Sequence, residues 1–127
     1  MRALVLSAWA FASASAVAIG PLAAQEILKT AADLERECSE GRAAACTRVG
    51  VQFAFGTQGR QRDYQKARGF LEKGCAGRDA NGCKELGVLY EYGRGVPKNP
   101  GEALRLYKIG CQGGVALACQ YAARLAR

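Results

Sequence analysis

Apolar and small residues recur along this chain at helical spacing, and the spacing itself repeats. Cys46, Val49, Gly50 and Phe53 fall at steps of three and four. Cys83, Leu86, Gly87 and Tyr90 do the same 37 residues later, and Cys119, Ala122, Ala123 and Ala126 follow 36 residues after that. Such steps place side chains on one face of an α-helix. A second stripe, Tyr64, Ala67, Phe70 and Leu71, returns as Ala103, Leu104, Leu106 and Tyr107. The pattern predicts an all-α protein in which each unit is a pair of helices, A then B. A helices start near Ala43, Asp79 and Val115, and Gly56 and Gly93 stop the first two. B helices are expected over 64–73 and 101–109, capped by Asp63 and by Asn99 ahead of Pro100, and closed by Gly74 and Gly110. A lone B-type helix over 26–38 carries Ile27, Leu28, Ala31 and Leu34 on one side.

The order is therefore B, A–B, A–B, A. It describes an α/α solenoid of about two and a half helical hairpins: a lone helix 26–38, repeats 38–74 and 75–110, and a half repeat 111–127. Gly50 and Gly87 hold one repeated mid-helix place, where glycine costs about 1 kcal/mol relative to alanine. Their recurrence predicts a helix crossing too close for a side chain, with Ala123 meeting the same demand in the third copy.

The cysteines sharpen this picture. All six lie in one frame, Cys38-x7-Cys46, Cys75-x7-Cys83 and Cys111-x7-Cys119, each running from the end of a B helix into the next A helix. Six cysteines allow 15 pairings. The repeated gap favours the three local ones, which would staple each hairpin to its neighbour. Zinc sites prefer closer cysteine pairs, often joined by histidine, and the chain has no histidine. A redox pair would want Cys-x-x-Cys, which is absent. No metal or cofactor is expected. A stack this short can bury its apolar faces only between neighbouring hairpins, so covalent support is in keeping with its size.

The first residues change the address. Met1-Arg2 precedes an apolar run over 3–19, broken by Gly20-Pro21, and Leu22 and Ala24 stand at the small-residue places before Gln25. This reads as a secretory signal peptide, 1–24, with the repeat domain over 25–127. A run of about 17 residues rich in Ala and Ser is short for a bilayer span, so no membrane span is expected after cleavage. The expected location is the periplasm or the exterior, which suits a disulfide framework. Residues 25–127 keep 17 basic and 11 acidic side chains, spread along the chain. Dispersed charge reads as solvated helix faces rather than a nucleic-acid surface.

With units of this length, and with Leu86-Gly87-x-x-Tyr90-x-x-Gly93-x-Gly95-Val96 followed by Asn99 and Ala103, the chain resembles Sel-one-like repeats, relatives of the tetratricopeptide repeat. The Cys-x7-Cys staple at each boundary resembles the secreted, cysteine-rich Hcp-like branch. The first copy departs at its turn, where Thr57-Gln58-Gly59-Arg60 replaces Gly-x-Gly-Val. The resemblance implies a right-handed superhelix whose concave face lines up the A helices. It also implies an adaptor or scaffold for other proteins, often in envelope or secretory processes. Some Hcp-like relatives are described as penicillin-binding or as weak β-lactamases, which supplies the alternative.

That alternative meets chemical obstacles. The one serine of 25–127, Ser39, is followed three residues later by Arg42, not the lysine of a Ser-x-x-Lys motif. Arginine does not give up its proton in a protein. Glu85 and Glu91 are not helical neighbours and read as solvated surface. A binding module needs no nucleophile. Its candidate face is Arg48, Gln52 and Phe55 on the first A helix, with Leu89, Tyr92 and Arg94 on the second helix and its turn. Aromatic side chains dominate binding hot spots. An aromatic stripe more often packs inward, and packing on the next B helix is the reading favoured for Phe55 and Tyr92. The expected partner is a protein or a cell-envelope component, with self-association through the small residues of the last half repeat as a further route.

Overall fold

A computed structural model describes residues 29–127. The predicted signal peptide, and residues 26–28 of the predicted lone helix, lie outside them. Six helices follow one another: α1 (Ala31–Ser39), α2 (Ala43–Phe55), α3 (Tyr64–Ala76), α4 (Ala80–Tyr92), α5 (Pro100–Gln112) and α6 (Ala116–Leu125). In repeat terms these are B, A–B, A–B and A. Each helix packs on the next in sequence. α2 also packs on α4, and no two B helices pack to that extent. Among the described residues α2 and α4 are thus the non-consecutive helices that approach most closely.

The predicted caps form. The Asp63 carboxylate accepts from the Lys66 amide at 3.0 Å and the Asn99 side chain from the Glu102 amide at 3.1 Å. Gly56 and Gly93 end α2 and α4 in the left-handed conformation, at φ 68° and 66°. Two boundaries differ from expectation. α1 begins at Ala31, so residues 29 and 30 of the expected helix precede it, because Thr30 and Asp33 exchange hydrogen bonds as a capping box at 3.1 Å each. The B helices do not stop at Gly74 and Gly110. They run on to Ala76 and Gln112 and end at Gly77 and Gly113. Gly74 and Gly110 are instead crossing points. A Cβ on Gly74 would lie 2.2 Å from Thr47 Oγ1, and one on Gly110 would lie 2.9 Å from the Ala118 Cβ.

The earlier mid-helix glycines do what their recurrence predicts. A Cβ on Gly50 would meet Leu71 Cγ at 2.7 Å, and one on Gly87 would meet the Tyr107 ring at 2.7 Å. Ala123 is different: among the described residues no helix crosses it, and it is exposed. The core fills the spaces between helices. Leu34, Cys38, Ala45, Cys46 and Val49 form one cluster. Ala67, Leu71, Leu86, Leu89, Val96 and Leu106 form the other, spanning both complete repeats. Each fully buried leucine contributes roughly 1.5–3 kcal/mol.

The three local disulfides are present, Cys38–Cys46, Cys75–Cys83 and Cys111–Cys119, with Cα atoms 4.6, 4.5 and 4.5 Å apart. No cysteine is left free. Each bond joins the last turn of a B helix to the first turn of the next A helix. One backbone bond recurs inside each staple: Arg42 donates to Glu37, Asp79 to Gly74 and Val115 to Gly110, at 3.0, 2.9 and 3.0 Å. This bond engages the amide of the residue that precedes each A helix and a carbonyl of the preceding B helix; α2, α4 and α6 have no side-chain cap. The tight turn needs a left-handed residue, which is Gly41 (φ 93°), Arg78 (φ 72°) and Gly114 (φ 95°) in turn.

Candidate functional site

Phe55 and Tyr92 are the last residues of α2 and α4, and both are exposed, at 56% and 55%. The expectation that they pack on the next B helix fails for a geometric reason. Two residues earlier, Phe53 and Tyr90 occupy the packed face, and two residues is about 200° around a helix. Phe53 lies stacked on Phe70, with centroids 5.7 Å apart. Phe55 and Tyr92 therefore point away at the same register of neighbouring repeats.

Arg94 links Tyr92 to a second ring. The Arg94 guanidinium sits 5.2 Å from the Tyr92 ring centroid and 5.7 Å from that of Tyr64, and Arg62 lies 5.8 Å from Tyr64. Arg62, Tyr64, Arg94 and Tyr92 make an alternating stack along the turn edge. Among the described residues no carboxylate forms a salt bridge with Arg62, Arg94 or Lys98. Cations held on exposed rings gain about 0.5–1 kcal/mol each from the contact, and their N–H donors stay available.

The other predicted residues separate. Arg48 is exposed on α2. Gln52 is committed within the chain, accepting from Arg60 Nε at 2.8 Å. Leu89 is 3% exposed and belongs to the core, so it is not a surface contact. Its face of α4 meets the preceding B helix and the Val96 turn. Ser39 donates its hydroxyl to the Arg36 carbonyl at 2.7 Å at the end of α1.

Two residues gained roles that sequence reading did not give them. Arg60, read as part of a polar turn, lies over the Phe53 ring at 4.5 Å, pairs with Glu35 and donates to the Ala31 carbonyl at 3.2 Å. It ties the first turn to α1, as Val96 ties the second turn to the core.

Glu91, read as solvated surface, is 7% exposed. It accepts from the Tyr107 hydroxyl and from both terminal nitrogens of Arg124, at 2.7 and 3.0 Å. Glu85, paired with it in the sequence reading, is half-buried and bridges Lys84 at 2.7 Å. The Arg124 hydrogen bond, then the Tyr107 hydroxyl, hold the Glu91 carboxyl below the usual carboxylate value against the cost of burial. Burial and the same carboxylate push the Tyr107 phenol up. Tyr121 meets Tyr107 edge-on at 5.3 Å. Together with Val88 and Tyr92 these residues line a cavity of about 340 Å³. Register supplies the signal that was missed. Glu91, Tyr107 and Arg124 stand where the preceding unit has Ala54, Leu71 and Val88, so apolar places have been given to a charged pair and its hydroxyl donor.

The sequence profile of the Sel1 repeat family matches residues 43–79 and 80–115, more than half of the chain. This protein belongs to the Sel1 repeat family. The family unit starts at the A helix, so its frame runs five residues behind the frame counted from the cysteines. Sel1 repeats are helical-repeat protein-interaction modules, and the fold is typically a non-enzymatic scaffold. Among solved structures, the cysteine rich protein B of Helicobacter pylori is 27% identical, with a TM-score of 0.66 over 76% of this chain and 70% of its own. A Sel1 repeat protein from Oxalobacter formigenes is 24% identical, with a TM-score of 0.66 over 76% of this chain and 46% of its own. A protective antigen present in uropathogenic Escherichia coli strains, displaying an SLR fold, is 20% identical, with a TM-score of 0.60 over 76% of this chain and 24% of its own. The last two show a shared fold, and this chain spans less than half of either. No curated protein matches. Among the described residues no helix is long and apolar enough to cross a membrane. Three disulfides and a cysteine-rich Sel1 neighbour point to a place outside the cytoplasm.

Proposed function

We propose that this Sel1-repeat protein is an exported adaptor that binds another protein, or an envelope component, along the edge formed by Phe55, Tyr92 and Arg94. One observation carries the reading: two exposed aromatic residues at the same register of adjacent A helices, one of them, Tyr92, beside the Arg94 guanidinium, which lies between the Tyr92 and Tyr64 rings and forms no salt bridge among the described residues. Large rigid rings beside arginine are the composition of binding hot spots. Net positive charge favours an acidic patch on the partner. Export rests on the leader-like residues 1–24, and a periplasmic or extracellular location follows from it together with the disulfides.

The test is capture of the partner from envelope extract by the oxidised protein. The pair Tyr92→Ala/Arg94→Ala should lower capture at least about tenfold, as expected for hot-spot truncation. Glu72→Ala and Lys108→Ala, on exposed B-helix surface, should leave it unchanged. Equal loss from both sets would remove the edge from the reading. A chromogenic cephalosporin incubated with the same preparation should be hydrolysed no faster than with a heat-treated control, and faster turnover would contradict a role confined to binding.

A further inference from the structure

We propose that Arg124 receives the C-terminal carboxylate of a bound peptide, and that the cavity beside it takes the last side chain of that peptide. This inference rests on the reading of the protein as a protein-binding module and names the chemistry of one subsite. The guanidinium of Arg124 carries five N–H donors in a fixed plane. Two nitrogens are engaged by Glu91, and the side chain remains 47% exposed. No further acceptor for it occurs among the described residues. Glu91 is buried and is itself held by the Tyr107 hydroxyl, so the guanidinium is set in one orientation before any ligand arrives. Such a group, positioned by a buried carboxylate and still partly open, suits recognition of an incoming carboxylate.

Charge agrees with this. Glu91 cancels one cation, but Arg94 lies against Tyr92 on the cavity rim, and Lys98 is close enough for its charge to act on Glu91. The excess around the cavity is positive. Its walls are otherwise apolar or aromatic, from Val88, Tyr92, Tyr107 and Tyr121. At about 340 Å³ it is at the small end of ligand sites, room for a single side chain rather than a folded surface. A chain terminus offers a carboxylate one bond away from the carbon that bears an apolar side chain. A glutamate or aspartate within a chain offers the carboxylate alone, so the juxtaposition of Arg124 with a tyrosine-lined cavity favours the terminus.

The experiment is a nuclear magnetic resonance titration of the oxidised, ¹⁵N-labelled protein with three synthetic peptides. They are Ac-Gly-Ser-Gly-Ala-Phe with a free carboxylate, the same peptide as its C-terminal amide, and Ac-Gly-Ser-Glu-Gly-Ser amide. The free acid should shift the Arg124 Nε–H resonance and the α6 amides, and should bind at least about tenfold more tightly than either amide, the size expected for charge-assisted hydrogen bonds. Arg124→Gln should erase the acid-over-amide preference while the resonances of α1 to α3, which hold no member of the Glu91, Tyr107 and Arg124 network, stay in place. Equal binding of acid and amide would overturn the proposal, as would a glutamate peptide that matches the free acid, or no shift at Arg124 with any of the three. If partner capture still depends on Tyr92 and Arg94 in that event, the adaptor reading stands and the terminal-carboxylate subsite alone falls.

Discussion

At the junction between the two complete repeats, the register positions Ala54, Leu71 and Val88 are apolar. At the junction between the second repeat and α6, the same three positions are Glu91, Tyr107 and Arg124. The backbone frame hardly differs. Gly50 crosses Leu71 as closely as Gly87 crosses Tyr107, and Cys75–Cys83 closes the first junction as Cys111–Cys119 closes the second. Glycine crossings and staples therefore define a junction, and the chemistry between the A helices is free to vary. The first junction spends that freedom on packing: Leu71 and Leu89 sit in the larger core cluster. The second leaves a cavity bordered by a fixed arginine. Ala118 is the one buried residue of α6, so the staple and the Glu91–Arg124 pair supplement a smaller apolar contact than α4 has.

Unequal dependence can be broken most forcefully at the staples. Each closes a short loop, and the chain-entropy account gives about 2.5 kcal/mol for its loss. Cys75→Ser/Cys83→Ser should lower the thermal midpoint of the whole protein in a circular dichroism melt. Cys111→Ser/Cys119→Ser should mainly release α6, seen as faster hydrogen exchange of its amides with a smaller change in the global midpoint. Equal global effects would mean that α6 is as well packed as α4.

Acid gives a smaller and more local contrast. The folded value of Glu91 is lowered, chiefly by the Arg124 hydrogen bond, from an ordinary 4.5. Its ionised form thus favours the folded state. That contribution is complete above the ordinary value and is lost as pH falls through the lowered one. Protection of α6 amides should drop in that acid window. Asp33 and Glu102 are lowered as well, by Thr30 and by Arg105, but they act at the starts of α1 and α5 and leave α6 alone. Copying the first junction into the second, as Glu91→Ala/Tyr107→Leu/Arg124→Val, should retain the fold and remove the acid response of α6. A response that survives this exchange would assign it elsewhere.

The repeat frame was legible because helical periodicity, staples and crossing glycines are local and recur. The pairing of the cysteines followed from one repeated gap. Gly74 and Gly110 misled because a glycine at a crossing and a glycine at a helix end look alike in sequence, and the neighbours that distinguish them, Thr47 for the first and the Ala80 carbonyl for the second, are remote along the chain. Leu89 was misplaced because it was aligned with Gln52 by register, although that register is apolar in one copy and polar in the other. Glu91 was missed for the opposite reason: its partner stands 33 residues away on a different helix, and isolated carboxylates ordinarily face solvent. The exposed pair Phe55 and Tyr92 was found by position but assigned to packing, since composition does not say which side of a helix end is covered.

The finest contrast lies in the staple loops. Gly41 and Gly114 adopt left-handed φ without strain, whereas Arg78 does so with a side chain. Arg78→Gly should stabilise the protein by up to about 1 kcal/mol, offset in part by the greater freedom of glycine in the unfolded chain. Gly41→Ala should act in the opposite direction. Chemical denaturation of the two variants checks both signs.

In the proposed adaptor, binding runs along the edge where A helices end, not along the B helices. Photo-crosslinking tests it most directly. A benzophenone amino acid placed at Tyr92, and separately at Lys108 on α5, is irradiated with the oxidised protein in envelope extract. A discrete adduct from position 92, suppressed by Arg94→Glu and absent from position 108, is the predicted result. Adducts of equal yield from both positions, or from position 108 alone, would contradict it.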